Sequence, residues 1–185
     1  MKPKLAIVTG NPLKFTELSE ALKDYFDCEQ KEFDGLYEIQ GKPEEILMHK
    51  MREAYVRAGM PVLVDDVSVH LDALNGFPGP YIKSFAEAIS PMEMGKRYKG
   101  TRVEVFCRLG LCFAPDDEIL AIGSFNGTVV LPHEGVEHPW NFDICVQVDG
   151  TDGPMSDYTT EEKNKFSHRG LAIKDLLEKL KSKIK

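Results

Sequence analysis

Residues 61–76 read PVLVDDVSVHLDALNG, an apolar, β-branched run that contains two adjacent carboxylates, Asp65 and Asp66. Residues 62–64 predict a buried strand, and the apolar alternation resumes at Val67. Burying one carboxylate without a partner costs several kcal/mol, and two neighbours also repel each other. An aspartate pair is more often a turn or a cap. A pair inside an apolar strand instead favours metal binding or acid–base chemistry, because Mg²⁺ takes oxygen ligands.

Length and composition predict one globular domain over residues 1–185, with 42% hydrophobic and 29% charged residues. The formal net charge of -7 argues against binding to a nucleic-acid polymer or an anionic membrane, which needs a basic surface. The apolar run at residues 5–8 is too short for a signal peptide or a membrane span. The four cysteines are scattered and predict reduced thiols. We therefore expect a cytoplasmic protein.

The N-terminal third predicts a strand and two helices. A strand at Lys4–Val8 leads into a helix with Asn11 as its N-cap, whose apolar face extends to Phe26. The second helix is predicted to begin at Pro43 and to end at Gly59.

The rest of the chain predicts two long strands and a final helix. Every odd residue is apolar from 103 to 113, which is typical of a strand. Residues 119–131 predict a further strand, interrupted at Asn126-Gly127 by a hairpin. A polar loop is expected over residues 132–160, followed by a helix with apolar residues as far as Ile184. Strands mixed with helices indicate an α/β or α+β fold with a mixed sheet.

Three further segments are candidate binding sites. Residues 7–15, IVTGNPLKF, predict a strand, a tight turn and a helix start, and such a junction can bind an anion. A capped helix with a surface lysine is the more common interpretation of this pattern. Residues 161–170, EEKNKFSHRG, place positively charged side chains at the start of a predicted helix. Positive charges at this end interact unfavourably with the helix dipole unless an anion is bound nearby. Residues 138–143, HPWNFD, carry aromatic rings that suit base stacking or core filling. Together these parts indicate a nucleotide enzyme.

Three motifs in the same order resemble the inosine triphosphate pyrophosphatase family. They are VTGNPLK at residues 8–14, VLVDDVSVHLDALNGFPGPYIKSF at 62–85 and EEKNKFSHRGLA at 161–172. The resemblance spans nearly the whole chain. It implies an elongated α/β fold with a mixed sheet flanked by helices, and with two lobes around a central cleft. It also implies a homodimer.

The activity implied by the resemblance is Mg²⁺-dependent hydrolysis of a non-standard purine nucleoside triphosphate (ITP, dITP or XTP) to the monophosphate and pyrophosphate. Mn²⁺ is an alternative metal ion. Such an enzyme, a hydrolase acting on acid anhydrides, would cleanse the nucleotide pool. Two alternatives stay open: a pyrophosphatase for other modified nucleotides, and a nucleotide-binding protein without catalysis.

The resemblance also assigns roles to individual residues. Glu38 and Asp66 match metal ligands, and Asp66 would also activate water with support from Asp65. Adjacent residues of a regular strand project to opposite faces. Unless the strand ends or bulges, only one aspartate can be a direct ligand, and we assign that role to Asp66. The residues implied to contact substrate are Thr9, Gly10, Asn11, Lys14, Lys50, Asp66, Val67, Lys83, Trp140, Asn141, Phe142, Asp143, Lys163, His168 and Arg169.

The sequence departs from the family pattern at three places. Val67 stands where the family has a hydroxyl residue. Asn141 replaces a glycine in the base-facing loop, and residues 154–158 read PMSDY instead of a sequence close to T-x-A-E-M. These departures concern substrate preference rather than the reaction.

Overall fold

The computed structural model describes residues 1–36, 39–135 and 142–184, and only the backbone of Ile184. Within these ranges the strands are β1 Lys4–Val8, β2 Asp27–Lys31, β3 Val62–Leu71, β4 Pro78–Gly79, β5 Arg102–Ala114, β6 Asp117–Val129 and β7 Val146–Val148. The helices are α1 Pro12–Leu22, α2 Pro43–Ala58, α3 Ile82–Ala88, α4 Pro91–Arg97, α5 Thr160–Lys163 and α6 His168–Ile184. Short 3₁₀ turns cover Asp72–Leu74, Phe142–Cys145 and Met155–Asp157.

The seven strands form one mixed sheet. Its order is β2-β1-β3-β5-β6-β7, and β4 pairs with β3. β1 is parallel to both β2 and β3, whereas β4 is antiparallel to β3 and β7 is antiparallel to β6. The predicted α/β class, with a mixed sheet flanked by helices, is confirmed.

The chain divides into two compact units. The first comprises Met1–Asp66, Arg108–Ile122 and Ala172–Lys185. Its core between α2 and the sheet contains Ala6, Val8, Leu47, Met51, Ala54, Val62, Val64 and Cys112. The second unit comprises Val67–Cys107 and Gly123–Leu171. Its core contains Val69, Leu71, Ile82, Phe85, Met94, Val103, Val105, Phe125, Val129, Ile144, Cys145, Val146, Val148 and Met155.

The first predicted helix is shorter than its apolar spacing indicates. α1 begins at Pro12 with Asn11 as N-cap, as expected, but it ends at Leu22. Phe26 lies beyond the helix, just before β2, and its ring packs 6.1 Å from that of Phe113. The helical spacing from Leu22 to Phe26 therefore reflects burial in a shared core and not a continued helix. The second helix agrees with the sequence, because α2 spans Pro43–Ala58 and Gly59 adopts the left-handed conformation that terminates it.

Two predictions for the C-terminal half are wrong. Asn126-Gly127 does not form a hairpin, because β6 continues through both residues. A Cβ atom at Gly127 would lie 2.3 Å from the carbonyl oxygen of Gln147, so glycine here permits close approach of β7 and not a turn. The polar segment 132–160 is also not one loop, since it contains β7 and two 3₁₀ turns.

The last helix is amphipathic, as its sequence predicts. α6 buries Ile173, Leu176 and Leu180 and exposes Lys174 and Glu178. None of the helices in the described ranges combines the length and the apolar character that crossing a bilayer requires.

Candidate functional site

The β1–α1 junction is capped by its own side chains. Asn11 Oδ1 accepts hydrogen bonds from the backbone N–H groups of Leu13 (2.9 Å) and Lys14 (3.4 Å). The Asn11 N–H donates to Thr9 Oγ1 at 3.1 Å. Because these donors are satisfied within the protein, an anion here would meet the helix dipole and the Lys14 ammonium instead.

β3 continues through both aspartates, which are only 3% and 4% exposed. Asp65 Oδ2 lies 2.7 Å from the Nζ of Lys14. The Nζ of Lys50, on α2, donates to the main-chain oxygen of Asp65 at 2.9 Å. Thr9, Asn11, Lys14, Lys50 and Asp65 thus form a connected group in the first unit, which we call the Lys14 cluster.

Asp66 projects to the other face of β3, since strand residues alternate. Val64 lies on that same face and packs against Leu47 and Met51 of α2. Among the two arrangements considered for the aspartates, the structure has the continuous strand. Asp65 therefore engages Lys14, while Asp66 is directed towards the α2 side.

A second group of predicted residues meets in the second unit. The Nζ of Lys163 lies 3.0 Å from Asp143 Oδ2. His168, 4% exposed, packs its ring 5.9 Å from the Phe142 ring and 5.7 Å from the Phe125 ring. We call Phe142, Asp143, Lys163 and His168 the His168 cluster. It combines a phenyl ring, an imidazole ring, a carboxylate and an ammonium, which are groups suited to a purine base.

Two caps position the His168 cluster. Thr159 caps α5, and Glu162 accepts the Thr159 N–H at 2.8 Å, which completes a capping box just before Lys163. Hydrogen bonds from the Thr159 backbone and hydroxyl lower the pKa of Glu162. Ser167 Oγ accepts the Gly170 N–H at 3.1 Å, so Ser167 caps the start of α6.

Gly170 allows α6 to approach the α5 turn closely. A Cβ atom at this position would lie 2.2 Å from the carbonyl oxygen of Asn164. We expect Gly170→Ala to lower the free energy of unfolding by about 1–3 kcal/mol, and to raise KM for the substrate because His168 shifts. Denaturant unfolding and steady-state kinetics measure the two effects. The control is Gly41→Ala, whose Cβ, among the described residues, would meet the flexible Glu45 side chain, at 3.0 Å from Oε2. Equal effects from both variants would contradict this prediction.

Cys145 lies beside the same cluster but is not a nucleophile. Burial raises the pKa of its thiol to about 12, and the charge of Asp143 adds to the rise. Its Sγ donates to the carbonyl oxygen of Phe142 at 3.3 Å. The thiol therefore stays protonated at neutral pH and helps to fix the turn that carries Asp143.

Several predicted residues lie elsewhere or are not described. Glu38, Trp140 and Asn141 fall outside the described residues. Lys83 is exposed on α3, and Val67 packs partly buried against the core of the second unit.

The described residues form no metal cage of their own. Within residues 1–36, 39–135 and 142–184, no three His, Cys, Asp or Glu side chains are grouped to hold a metal ion. Mg²⁺ is commonly bound through one or two carboxylates together with substrate phosphates. Of the two buried aspartates on β3, Asp66 is the one that could serve such a site, because Asp65 is paired with Lys14.

The sequence did not identify Arg108, a buried cation on β5. Its residue is 8% exposed, and its Nε lies 3.0 Å from Oε1 of Glu44 in the first turn of α2. The pKa of Glu44 is lowered by a backbone hydrogen bond and also by the Arg108 charge. The available signal was a charged residue between the apolar residues Cys107 and Leu109. Alternation alone predicts that such a residue faces solvent.

Comparison with known proteins places the chain among one set of relatives. The Ham1 family profile matches residues 5–179. The inosine triphosphate pyrophosphatase of Schizosaccharomyces pombe is 32% identical over 185 residues, covering 96% of this chain and 97% of the relative. That of Pyricularia oryzae is 33% identical over 173 residues, covering 91% and 89%. A HAM1 protein structure from Coxiella burnetii superposes with a TM-score of 0.80 at 21% identity, covering 98% of this chain and 100% of that one.

Proposed function

Because the chain belongs to the Ham1 family, we propose that it is a nucleoside triphosphate pyrophosphohydrolase. It converts ITP, dITP and XTP to the monophosphate and pyrophosphate. It is thus a hydrolase acting on acid anhydrides, and it removes non-standard purine nucleotides from the pool. The relatives from S. pombe and P. oryzae, both named inosine triphosphate pyrophosphatases, support this reaction.

One structural observation carries the proposal: two adjacent buried carboxylates on β3 project to opposite faces of the strand. Asp65 pairs with Lys14, whose Nζ lies 2.7 Å from Asp65 Oδ2. Asp66 is equally buried but projects to the opposite face. We assign Asp66 to the reaction, as the resemblance implies, and Asp65 to holding Lys14.

The reaction requires a water molecule to attack the α-phosphorus while the bond to the bridging oxygen of the β-phosphate breaks. Asp66 orients this water and accepts its proton, as a general base does. The Lys14 ammonium has three N–H donors, so it can keep Asp65 and also donate to a phosphate oxygen. Lys50 and Lys83 add positive charge for the leaving pyrophosphate.

Mg²⁺ is the proposed cofactor, and Asp66, together with Glu38, would hold it. When bound, it supplies positive charge to the phosphate oxygens and lowers the cost of charge on the leaving group.

The His168 cluster is the proposed base site. The hypoxanthine and xanthine bases carry O6 and N1–H, whereas adenine presents an amino donor at position 6. N–H donors from His168 or Arg169 towards O6 would favour the 6-oxo purines and oppose adenine. The Asp143 carboxylate, anchored by Lys163, is suited to accept a ring N–H.

The deciding experiment is pyrophosphate release by the purified protein with Mg²⁺ from ITP, dITP, XTP, GTP, ATP and UTP. We expect strong release from the first three and little from the others. Release from a different set would retain the chemistry and reject the proposed base selectivity. No release by folded protein would reject catalysis and favour the nucleotide-binding alternative. Sedimentation of the same preparation tests the expected homodimer.

A further inference from the structure

The relation between β3 and β5 determines what Asp66 faces. The two strands are neighbours in the sheet. A Cβ at Gly110 would lie 3.4 Å from Val64 Cγ2, and the ring of Phe106 lies 5.5 Å from that of His70. Residue numbers therefore rise along β3 while they fall along β5. The two strands are antiparallel.

Asp66 and Arg108 lie between these two contacts. Asp66 is two residues after Val64, and Arg108 is two residues before Gly110, so both share the face of those residues. Residues directly opposite on antiparallel strands have Cβ atoms about 4.5–5.5 Å apart. The Val64–Gly110 contact makes Asp66 and Arg108 direct neighbours, whereas a direct His70–Phe106 pair makes them diagonal neighbours. In both arrangements Asp66 is within reach of the long Arg108 side chain, on the face covered by α2.

Both groups are buried charges, with exposures of 4% for Asp66 and 8% for Arg108. A buried carboxylate is strongly destabilising unless a cation or hydrogen-bond donors compensate it. The Nε of Arg108 binds Glu44, whose side chain is 61% exposed. A guanidinium has five N–H donors in a planar fork, so it can serve Glu44 and Asp66 together.

We propose that Arg108 is a positioning residue that acts as the resident counter-ion of Asp66 and competes with divalent cations for it. The inference rests on the proposed function, because it takes Asp66 as the metal ligand. A guanidinium and a divalent cation at one carboxylate repel each other. The nucleotide-free protein therefore binds the metal ion weakly. The negative charges of the triphosphate offset this repulsion, so metal binding is coupled to nucleotide binding.

The test is the affinity of the nucleotide-free protein for Mn²⁺, measured by titration calorimetry. We expect Arg108→Met to bind Mn²⁺ at least about tenfold more tightly than the wild type, because a nearby positive charge is removed. The matched control is Arg52→Met. Arg52 Nε also lies 3.0 Å from a glutamate Oε1, that of Glu118, but its side chain is 61% exposed. This control should keep the wild-type affinity. An unchanged or weaker affinity in Arg108→Met overturns the proposal.

A stability cycle covers the case in which Arg108→Met folds poorly. In Arg108→Met, Asp66 is buried without its counter-ion, so Tm should fall by on the order of 10 °C relative to the wild type. The double variant Arg108→Met/Asp66→Asn should regain most of that loss, because neither charge remains. No regain would show that Arg108 does not serve Asp66 and would overturn the proposal.

The same preparations separate this inference from the proposed function. Wild-type pyrophosphate release from ITP, without any gain in Mn²⁺ affinity in Arg108→Met, refutes only the role of Arg108. Tighter Mn²⁺ binding in the variant, without release by the wild type, supports the counter-ion role and refutes only the catalytic function.

Discussion

Asp66→Asn is expected to lower kcat/KM for ITP by roughly 10³-fold or more, because the general base and a metal-binding oxygen are lost together. Folding should be retained, since asparagine has nearly the same shape and Arg108 keeps its pair with Glu44. Steady-state pyrophosphate release and thermal unfolding measure the two quantities. Asp72→Asn is the matched control, because Asp72 is exposed in the 3₁₀ turn directly after β3. Near-normal turnover in Asp66→Asn would refute its assigned role.

Lys14→Met should impair both stability and activity, because Lys14 holds the buried Asp65 at 2.7 Å. With Lys14 itself 27% exposed, we expect a loss of about 2–3 kcal/mol in the free energy of unfolding. KM for ITP should rise, since the ammonium proposed to meet a phosphate oxygen is removed. Denaturant unfolding and steady-state kinetics measure these effects. The control Lys4→Met removes an exposed pair, in which Lys4 Nζ lies 3.9 Å from Glu29 Oε2. It should change stability by at most ~1 kcal/mol.

A double variant separates the two roles of Lys14. Lys14→Met/Asp65→Asn removes both charges of the pair, so most of the stability should return while KM stays high. If Lys14→Met alone leaves stability unchanged, Lys14 is not the counter-ion on which Asp65 depends. If the double variant restores KM as well, the contact with phosphate is refuted.

Local sequence signals correctly predicted the helix ends that are marked by capping residues. Asn11 and Pro12 mark the start of α1, and Gly59 marks the end of α2, because each has a backbone preference that operates over one turn. The sequence also predicted that the two aspartates need a compensating charge, because carboxylates inside a β-branched run become buried when the strand forms. The Lys14–Asp65 pair itself was not predicted, because it joins residues from two distant segments.

The failures arose where tertiary contacts override local pattern. β2 has the sequence DCEQK and no apolar alternation, yet it forms an edge strand because β1 pairs with it in parallel. The Asn-Gly pair that contains Gly127 is typical of a turn, but this glycine instead allows β7 to approach closely. Alternation predicts that Arg108 faces solvent on a half-buried strand, whereas α2 covers this face of β5. In each case the partner segment, and not the residue's own neighbours, determines the conformation.

The alternation of the chain between its two units has an evolutionary consequence. The polypeptide passes from one unit to the other after residues 66, 107, 122 and 171. Neither unit is therefore encoded by one uninterrupted stretch of gene. A single crossover between two relatives cannot separate the two units cleanly, because every crossover point leaves at least one unit with segments from both parents. Exchange of one complete unit with the other left intact would require a crossover at each of the four points.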